Sequence, residues 1–163
     1  MHPRSILLTG ACGFIGGRLM AALTGAGHRV RGVSRRSGHD FARMTTADAW
    51  RPLLAGVDTA INAVGIIAET RGQRFEPIHH LAPAALFRAC VDAGVERIVQ
   101  ISALGADAHG ITDYQRSKYA ADEVLRALPV RGFVLRPSLI VGAENASSPW
   151  AYPPSSPCSP SSG

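Results

Sequence analysis

The chain has 163 residues, 46% of them hydrophobic, and a net charge of +5 from 17 basic and 12 acidic side chains; it is long enough for one domain with its own core and too short for a nucleotide domain plus a full substrate domain. Apart from Arg35-Arg36 the cations are scattered singly, with no basic stripe and no interleaved aromatics, which favours a solvated surface over a nucleic-acid partner. No uncharged apolar run approaches the roughly 18 residues needed to span a bilayer, Cys12, Cys90 and Cys158 are too dispersed for a zinc site or disulfide framework, and Met1-His-Pro-Arg4 leads straight into an apolar segment with no secretory core, so a reduced cytoplasmic setting is expected.

Ser5-Ile-Leu-Leu-Thr9 reads as a short strand that runs into Gly10-Ala-Cys-Gly13-Phe-Ile-Gly16 and then into a helical pattern from Gly17 to Ala26. A bound pyrophosphate requires this order. Gly10 permits the tight turn, Gly13 leaves room for phosphates beside the backbone, Gly16 lets the helix pack close to the sheet, and the unpaired N–H groups of the helix start face the anion. Three spaced glycines are a weak signal in a chain with 17 of them, so the flanking strand and helix carry the reading. Arg29 to Ser34 is the next strand. An NAD site places Asp or Glu at its end for the ribose 2′-hydroxyl, whereas here Val33 is followed by Ser34, Arg35 and Arg36. Two guanidiniums suit a 2′-phosphate, which favours NADP(H) over NAD(H); the alternative is a solvated turn.

Between Arg36 and Ala49 a doubly wound fold normally fits a helix and a strand, but Ser37-Gly-His-Asp-Phe-Ala-Arg-Met-Thr45 supports neither, so the third strand is expected to be shortened or lost. A short helix at Thr46 to Leu54, a strand at Val57 to Val64 and a long helix from Pro77 to its stop at Gly94 follow. Arg97 to Ser102 is a strand, Tyr114 to Leu128 a helix and Arg131 to Arg136 the last strand. Strands alternating with helices predict an α/β fold, a doubly wound parallel sheet covered on both faces, over residues 1–145 as a single domain. His79 and His80 are adjacent on a helix and face different ways, so no metal site is expected. From Ala146 to Gly163, 12 of 18 residues are Ser or Pro, a composition expected to be disordered and suggestive of a truncated or frame-shifted end.

The second chemical signal is Tyr114-Gln-Arg-Ser-Lys118, whose i to i+4 spacing puts a phenol and an ammonium on one helical face. A neighbouring cation would lower the Tyr pKa from about 10 toward the range useful for proton transfer. Lys118 is the only lysine in the chain. The alternative is an exposed helix face on which the two residues meet by chance.

With these motifs in order, and with Asn62-Ala-Val-Gly65, Ile101-Ser-Ala-Leu-Gly105 and Leu135-Arg-Pro-Ser138, residues 5–142 resemble the short-chain dehydrogenase/reductase superfamily, in its extended and atypical branches. The wording of residues 63–69 and 101–106 is most similar to atypical members related to the nucleotide-binding accessory subunit of respiratory complex I. The resemblance implies a Rossmann fold in which Gly10, Gly13 and Gly16, with Cys12 and the backbone of Phe14 and Ile15, hold the pyrophosphate. It implies that Asp40 and Phe41 flank the adenine, that Ala63, Val64 and Gly65 line the adenine ribose side, and that Pro137 and Ser138 close over the nicotinamide. Tyr114 would exchange a proton with the substrate, while Lys118 would bind the nicotinamide ribose and depress the Tyr pKa. One departure stands out: Leu104 occupies the position of the expected catalytic Ser, leaving Ser102 either to take over that role or to serve as a strand-end hydroxyl, with Ser117 a weaker substitute.

The leading expectation is an NADP(H)-dependent oxidoreductase or nucleotide-sugar epimerase/dehydratase-like domain acting on a carbonyl or hydroxyl of a small molecule. The alternatives are a non-catalytic NADP(H)-binding sensor or complex-assembly module, and an inactive fragment that lacks the substrate lobe extended members build after the Arg-Pro motif. The resemblance also implies pairing through the two long helices as a homodimer, or a place in a membrane complex.

Overall fold

Five short segments pair into one parallel sheet whose central strands are the buried ones. A computed structural model describes residues 2–138 and residue 140; the Ser/Pro stretch at 146–163 lies outside the described residues. The strands are β1 (Ser5–Thr9), β2 (Arg29–Val33), β3 (Thr59–Asn62), β4 (Arg97–Ile101) and β5 (Arg131–Leu135), in the order β2-β1-β3-β4-β5. Four α-helices connect them: α1 (Phe14–Gly25), α2 (Ala47–Trp50), α3 (Ala82–Asp92) and α4 (Asp113–Ala127). Alternate residues serve opposite faces. Ile6, Leu8 and Ile61 pack under Leu19, Met20 and Leu23 of α1, whereas Leu7, Ala60 and Ile98 belong to the larger core under α3 and α4.

Thr9 stands opposite Val33 on one side and Asn62 on the other, Asn62 opposite Gln100, and Ile101 opposite Leu135, so the carboxyl ends of the strands share one edge. The chain steps outward from β1 to β2 and then back across to β3. A crevice at the carboxyl edge belongs at such a reversal.

No strand forms between β2 and β3. The segment instead makes 3-10 turns at Arg35–Ser37 and Phe41–Arg43, then α2 and a further turn at Arg51–Leu53. Trp50 anchors it: the side chain is fully buried, its Nε1 donates to the Met44 carbonyl at 2.8 Å, and its ring meets Phe41 edge-on at 5.2 Å. The sheet therefore loses an edge strand without losing the core beneath it.

Several boundaries differ from the sequence expectation. Helix α1 starts at Phe14, directly on the glycine turn, rather than at Gly17. Strand β3 spans only Thr59–Asn62, because Ala63 onward peels away as a loop. The helix expected from Pro77 to Gly94 begins as a wide turn, Glu76–Leu81, in which Ala82 N–H donates to Pro77 O, before tightening into α3. Pro83 explains the widening, since it has no N–H to give and its ring crowds the carbonyl four residues earlier. Helix α4 is fixed at its start by reciprocal bonds between Thr112 and Gln115, 3.2 and 3.1 Å.

Gly16 supplies a direct test of the close packing. A Cβ there would stand 2.6 Å from the Gly10 carbonyl carbon and 3.0 Å from Ala11 Cα, both backbone, whereas one at Gly25 would meet nothing within 4 Å. Gly16→Ala is expected to destabilise the domain by about 1–3 kcal/mol, and Gly25→Ala to leave stability unchanged or slightly raised. Thermal melts of the two variants check this; equal melting temperatures would contradict the packing described.

Candidate functional site

The turn after β1 is shaped by what lies on either side of it. Gly10 has φ +70°, its N–H donates to Val33 O at 2.9 Å, and a Cβ on it would sit 2.8 Å from Ala63 O. Only glycine fits between the ends of β2 and β3 in that conformation. Gly13 N–H closes the turn on Gly10 O at 2.8 Å. Helix α1 then begins with no side-chain cap and no acidic residue in its first turn, so its N–H groups and the positive end of its dipole are left for an anion.

A cleft of about 430 Å³ opens beside this turn. Gly10, Cys12 and Gly13 form one wall, the turn Ser34–Arg36 with Asp40 and Phe41 another, and Ala63, Val64 and Gly65 a third. The Cys12 thiol donates to Ser34 Oγ at 3.3 Å. Arg35 and Arg36 are exposed, and among the described residues neither makes an ion pair. The Asp40 carboxylate caps the next turn by accepting from Ala42 N at 3.2 Å and lies 3.7 Å from Arg43. Phe41 is buried against Trp50, so its ring serves the core even where the residue borders the cleft. Phe14 and Ile15 are half-buried at the head of α1, and the Pro137 carbonyl accepts from Leu104 N at 3.0 Å, tying the end of β5 to the loop after β4.

Lys118 lies behind the third wall of the cleft. Its side chain is 3% exposed, and its ammonium donates to Ile101 O at 3.0 Å and Val64 O at 3.3 Å. A Cβ on Gly65 would come within 3.1 Å of Lys118 Nζ, so glycine at 65 lets the third wall lie close over the buried ammonium. Burial pushes the Lys118 pKa down to about 8, with the Asp122 carboxylate one turn further along α4 holding it up in part.

Tyr114, one turn before Lys118, packs edge-on to Phe75 at 5.9 Å and to His79 at 5.4 Å. Here the structure corrects the sequence reading. Burial raises the Tyr114 pKa, the opposite direction to the lowering expected from Lys118. The ammonium is bound to two backbone carbonyls, and the phenol lies in an aromatic corner that disfavours its ionised form.

Ser102 is likewise committed elsewhere. It is buried, its hydroxyl donates to Asp122 Oδ2 at 2.8 Å, and the same oxygen takes Arg136 Nε and a second Arg136 nitrogen at 3.2 and 3.1 Å. That makes it a framework hydroxyl joining β4, α4 and β5. Leu104 is 65% exposed on the loop beyond.

Sequence reading missed two groups. Asp122 lies four residues after Lys118, a spacing that could have identified the pair on one helical face. His79 gave no local signal. It is almost fully buried and contacts Ile66 N, Ser117 Oγ, Phe75 and Tyr114, whereas its neighbour His80 pairs with Glu76 on its own turn. Among the described residues no helix is long and apolar enough to cross a membrane.

Comparison with known proteins agrees with this architecture. The protein named NADH dehydrogenase [ubiquinone] 1 alpha subcomplex subunit 9, mitochondrial, of Arabidopsis thaliana is 31% identical over 161 residues, covering 87% of this chain and 40% of that protein. Ceramide reductase of Caulobacter vibrioides is 30% identical over 148 residues, covering 84% of this chain and 46% of the relative. The chain thus spans less than half the length of either. A short-chain dehydrogenase/reductase superfamily protein from Agrobacterium tumefaciens, solved with bound NAD, superposes with a TM-score of 0.67 at 21% identity over 81% of this chain and 48% of that one. The NAD dependent epimerase/dehydratase family pattern matches residues 6–151, and the chain belongs to that family.

Proposed function

We propose that this chain is the nicotinamide-dinucleotide-binding part of a carbonyl reductase, with NADP(H) preferred and Tyr114 as the proton donor. One observation carries the reading: Gly65 lines the cleft at the glycine turn, and a Cβ on it would stand only 3.1 Å from the Lys118 ammonium behind that wall. The residues fit the group. The glycine turn and uncapped start of α1 would hold the pyrophosphate, Arg35 and Arg36 a 2′-phosphate, and Lys118 the ribose hydroxyls at the far end, its ammonium having three donors of which two are used by Ile101 O and Val64 O. When bound, the nicotinamide supplies hydride exchange with a substrate carbon. Tyr114 supplies the proton. Because burial keeps the phenol protonated at neutral pH, the site favours donation to a carbonyl oxygen over abstraction from an alcohol.

A second reading is a nucleotide-binding module without catalysis. It is favoured by the Ser102 hydroxyl bound to Asp122 and by leucine at 104, which leave no side-chain hydroxyl from this strand end to polarise a substrate carbonyl. The likeness to a protein named as a subunit of an NADH dehydrogenase subcomplex supports the same alternative. Turnover of any carbonyl substrate, abolished in Tyr114→Phe with cofactor affinity retained, separates the two.

Fluorescence titration of the purified chain tests the cofactor. NADPH is expected to bind at least about tenfold more tightly than NADH, each charge-assisted contact contributing about 1.5–3 kcal/mol. The double variant Arg35→Ala/Arg36→Ala is expected to remove that difference, and Gly13→Asp to abolish binding of both. Equal affinities in the parent chain would contradict the NADP(H) preference.

The single lysine allows an unambiguous second test. With 15N-lysine label, one side-chain signal should titrate with a midpoint near 8. A folded pKa below the unfolded one means that at this site the unfolded chain binds more protons between about 8 and 10.5, so Lys118 contributes a rise in stability with pH there. Because Cys90, raised to about 12, acts in the opposite sense above about 9, the contribution is read as the difference in slope between the parent and Lys118→Met. A midpoint at or above about 10 would show a solvated ammonium instead.

A further inference from the structure

His79 lies between the two halves of the site and belongs to neither. It comes from the wide turn ahead of α3 and is 1% exposed. Its Nε2 lies 3.0 Å from Ile66 N and its Nδ1 2.9 Å from Ser117 Oγ, while the Ser117 hydroxyl donates to Tyr114 O at 2.8 Å. These contacts leave one proton arrangement. A backbone N–H can only donate, so Nε2 is bare and accepts; the neutral ring then carries its hydrogen on Nδ1 and gives it to Ser117. Protonating Nε2 would set its hydrogen against the Ile66 N–H. Burial and the nearby Lys118 charge press the same way and bring the His79 pKa down to about 3. The imidazole is therefore a fixed, uncharged link running from Ile66 N–H through His79 and Ser117 to the Tyr114 carbonyl.

We propose that His79 is a positioning residue that clamps the cofactor-lining loop 63–66 to the first turn of α4, so that nucleotide binding and the placement of Tyr114 are set together. The inference rests on the nicotinamide reading above. Lys118 already fastens this loop through Val64 O from inside α4; His79 adds a second attachment two residues further on, from a different element. Phe75 stacks on the imidazole at 5.1 Å with a 20° tilt and Tyr114 meets it edge-on, which fixes the ring plane in which both bonds are made.

The test compares the parent chain with His79→Phe, which keeps an aromatic ring and deletes both bonds, His79→Gln, whose amide oxygen can still accept from Ile66 N, and Ser117→Ala. In the parent, 15N spectra of the ring should show the Nδ1–H tautomer without titration between pH 5 and 8. His79→Phe is expected to weaken NADPH binding about tenfold in the folded fraction, and His79→Gln to recover most of it. Hydrogen exchange of the Ile66 amide in the absence of nucleotide should accelerate in Ser117→Ala, a readout that survives if His79→Phe does not fold. An Nε2–H tautomer, a ring that titrates near 6.5, or parent-like NADPH affinity in folded His79→Phe would overturn the clamp. A parent chain that binds neither NADPH nor NADH would overturn the cofactor reading instead; the tautomer and the Ile66 exchange rate would then decide the loop attachment by themselves.

Discussion

The site depends on the near-contact of three backbone segments at Gly10. With φ at +70°, its N–H on Val33 O and no room for a side chain before Ala63 O, this residue lets the ends of β2 and β3 approach β1 together. Gly16 continues the constraint by bringing α1 down onto the same peptide. Everything that lines the cleft follows from that approach: the start of α1, the arginine turn after β2 and the loop after β3 could not converge around a bulkier residue. The two core clusters then hold the convergence rigid from either face of the sheet.

The carboxyl edge of the sheet also concentrates polar groups that a core would otherwise exclude. Thr9 donates to Asn62 at 2.6 Å and Asn62 to Gln100 at 2.7 Å across three strands, all fully or almost fully buried. Lys118 and Asp122 lie buried on the helix above, with Arg136 reaching in from the end of β5. Burying charge and amide here costs stability unless each group is bonded. Two groups, Gln100 Nε2 and Asp122 Oδ1, lack a partner among the described residues. A fold optimised only for stability would fill this layer with aliphatic side chains, so its polarity is a departure of the kind found at functional edges.

Much of this was legible in the sequence. The strand, glycine turn and helix follow from local spacing, and the loss of the third strand follows from the absence of either periodicity between Arg36 and Ala49. What the spacing of Tyr114 and Lys118 could not show is their surroundings. The i to i+4 rule sets them one helical turn apart, but the Tyr114 shift is upward because the phenol is buried, and the rings it packs against, Phe75 and His79, arrive from a distant turn. Ser102 was ambiguous because its partner Asp122 is twenty residues away. His79 was unreadable for the same reason: both of its hydrogen-bond partners are brought to it only by the tertiary fold.

The most direct measurement of the central claim uses Lys118 as a reporter inside the site. The 15N-lysine signal would be followed while NADPH is added, beside the nicotinamide fluorescence of the same samples. If a nucleotide held in the cleft at the glycine turn reaches Lys118 behind Gly65, the signal moves with the dissociation constant that fluorescence gives. Binding that leaves the lysine signal unmoved would place the nucleotide elsewhere and contradict the account.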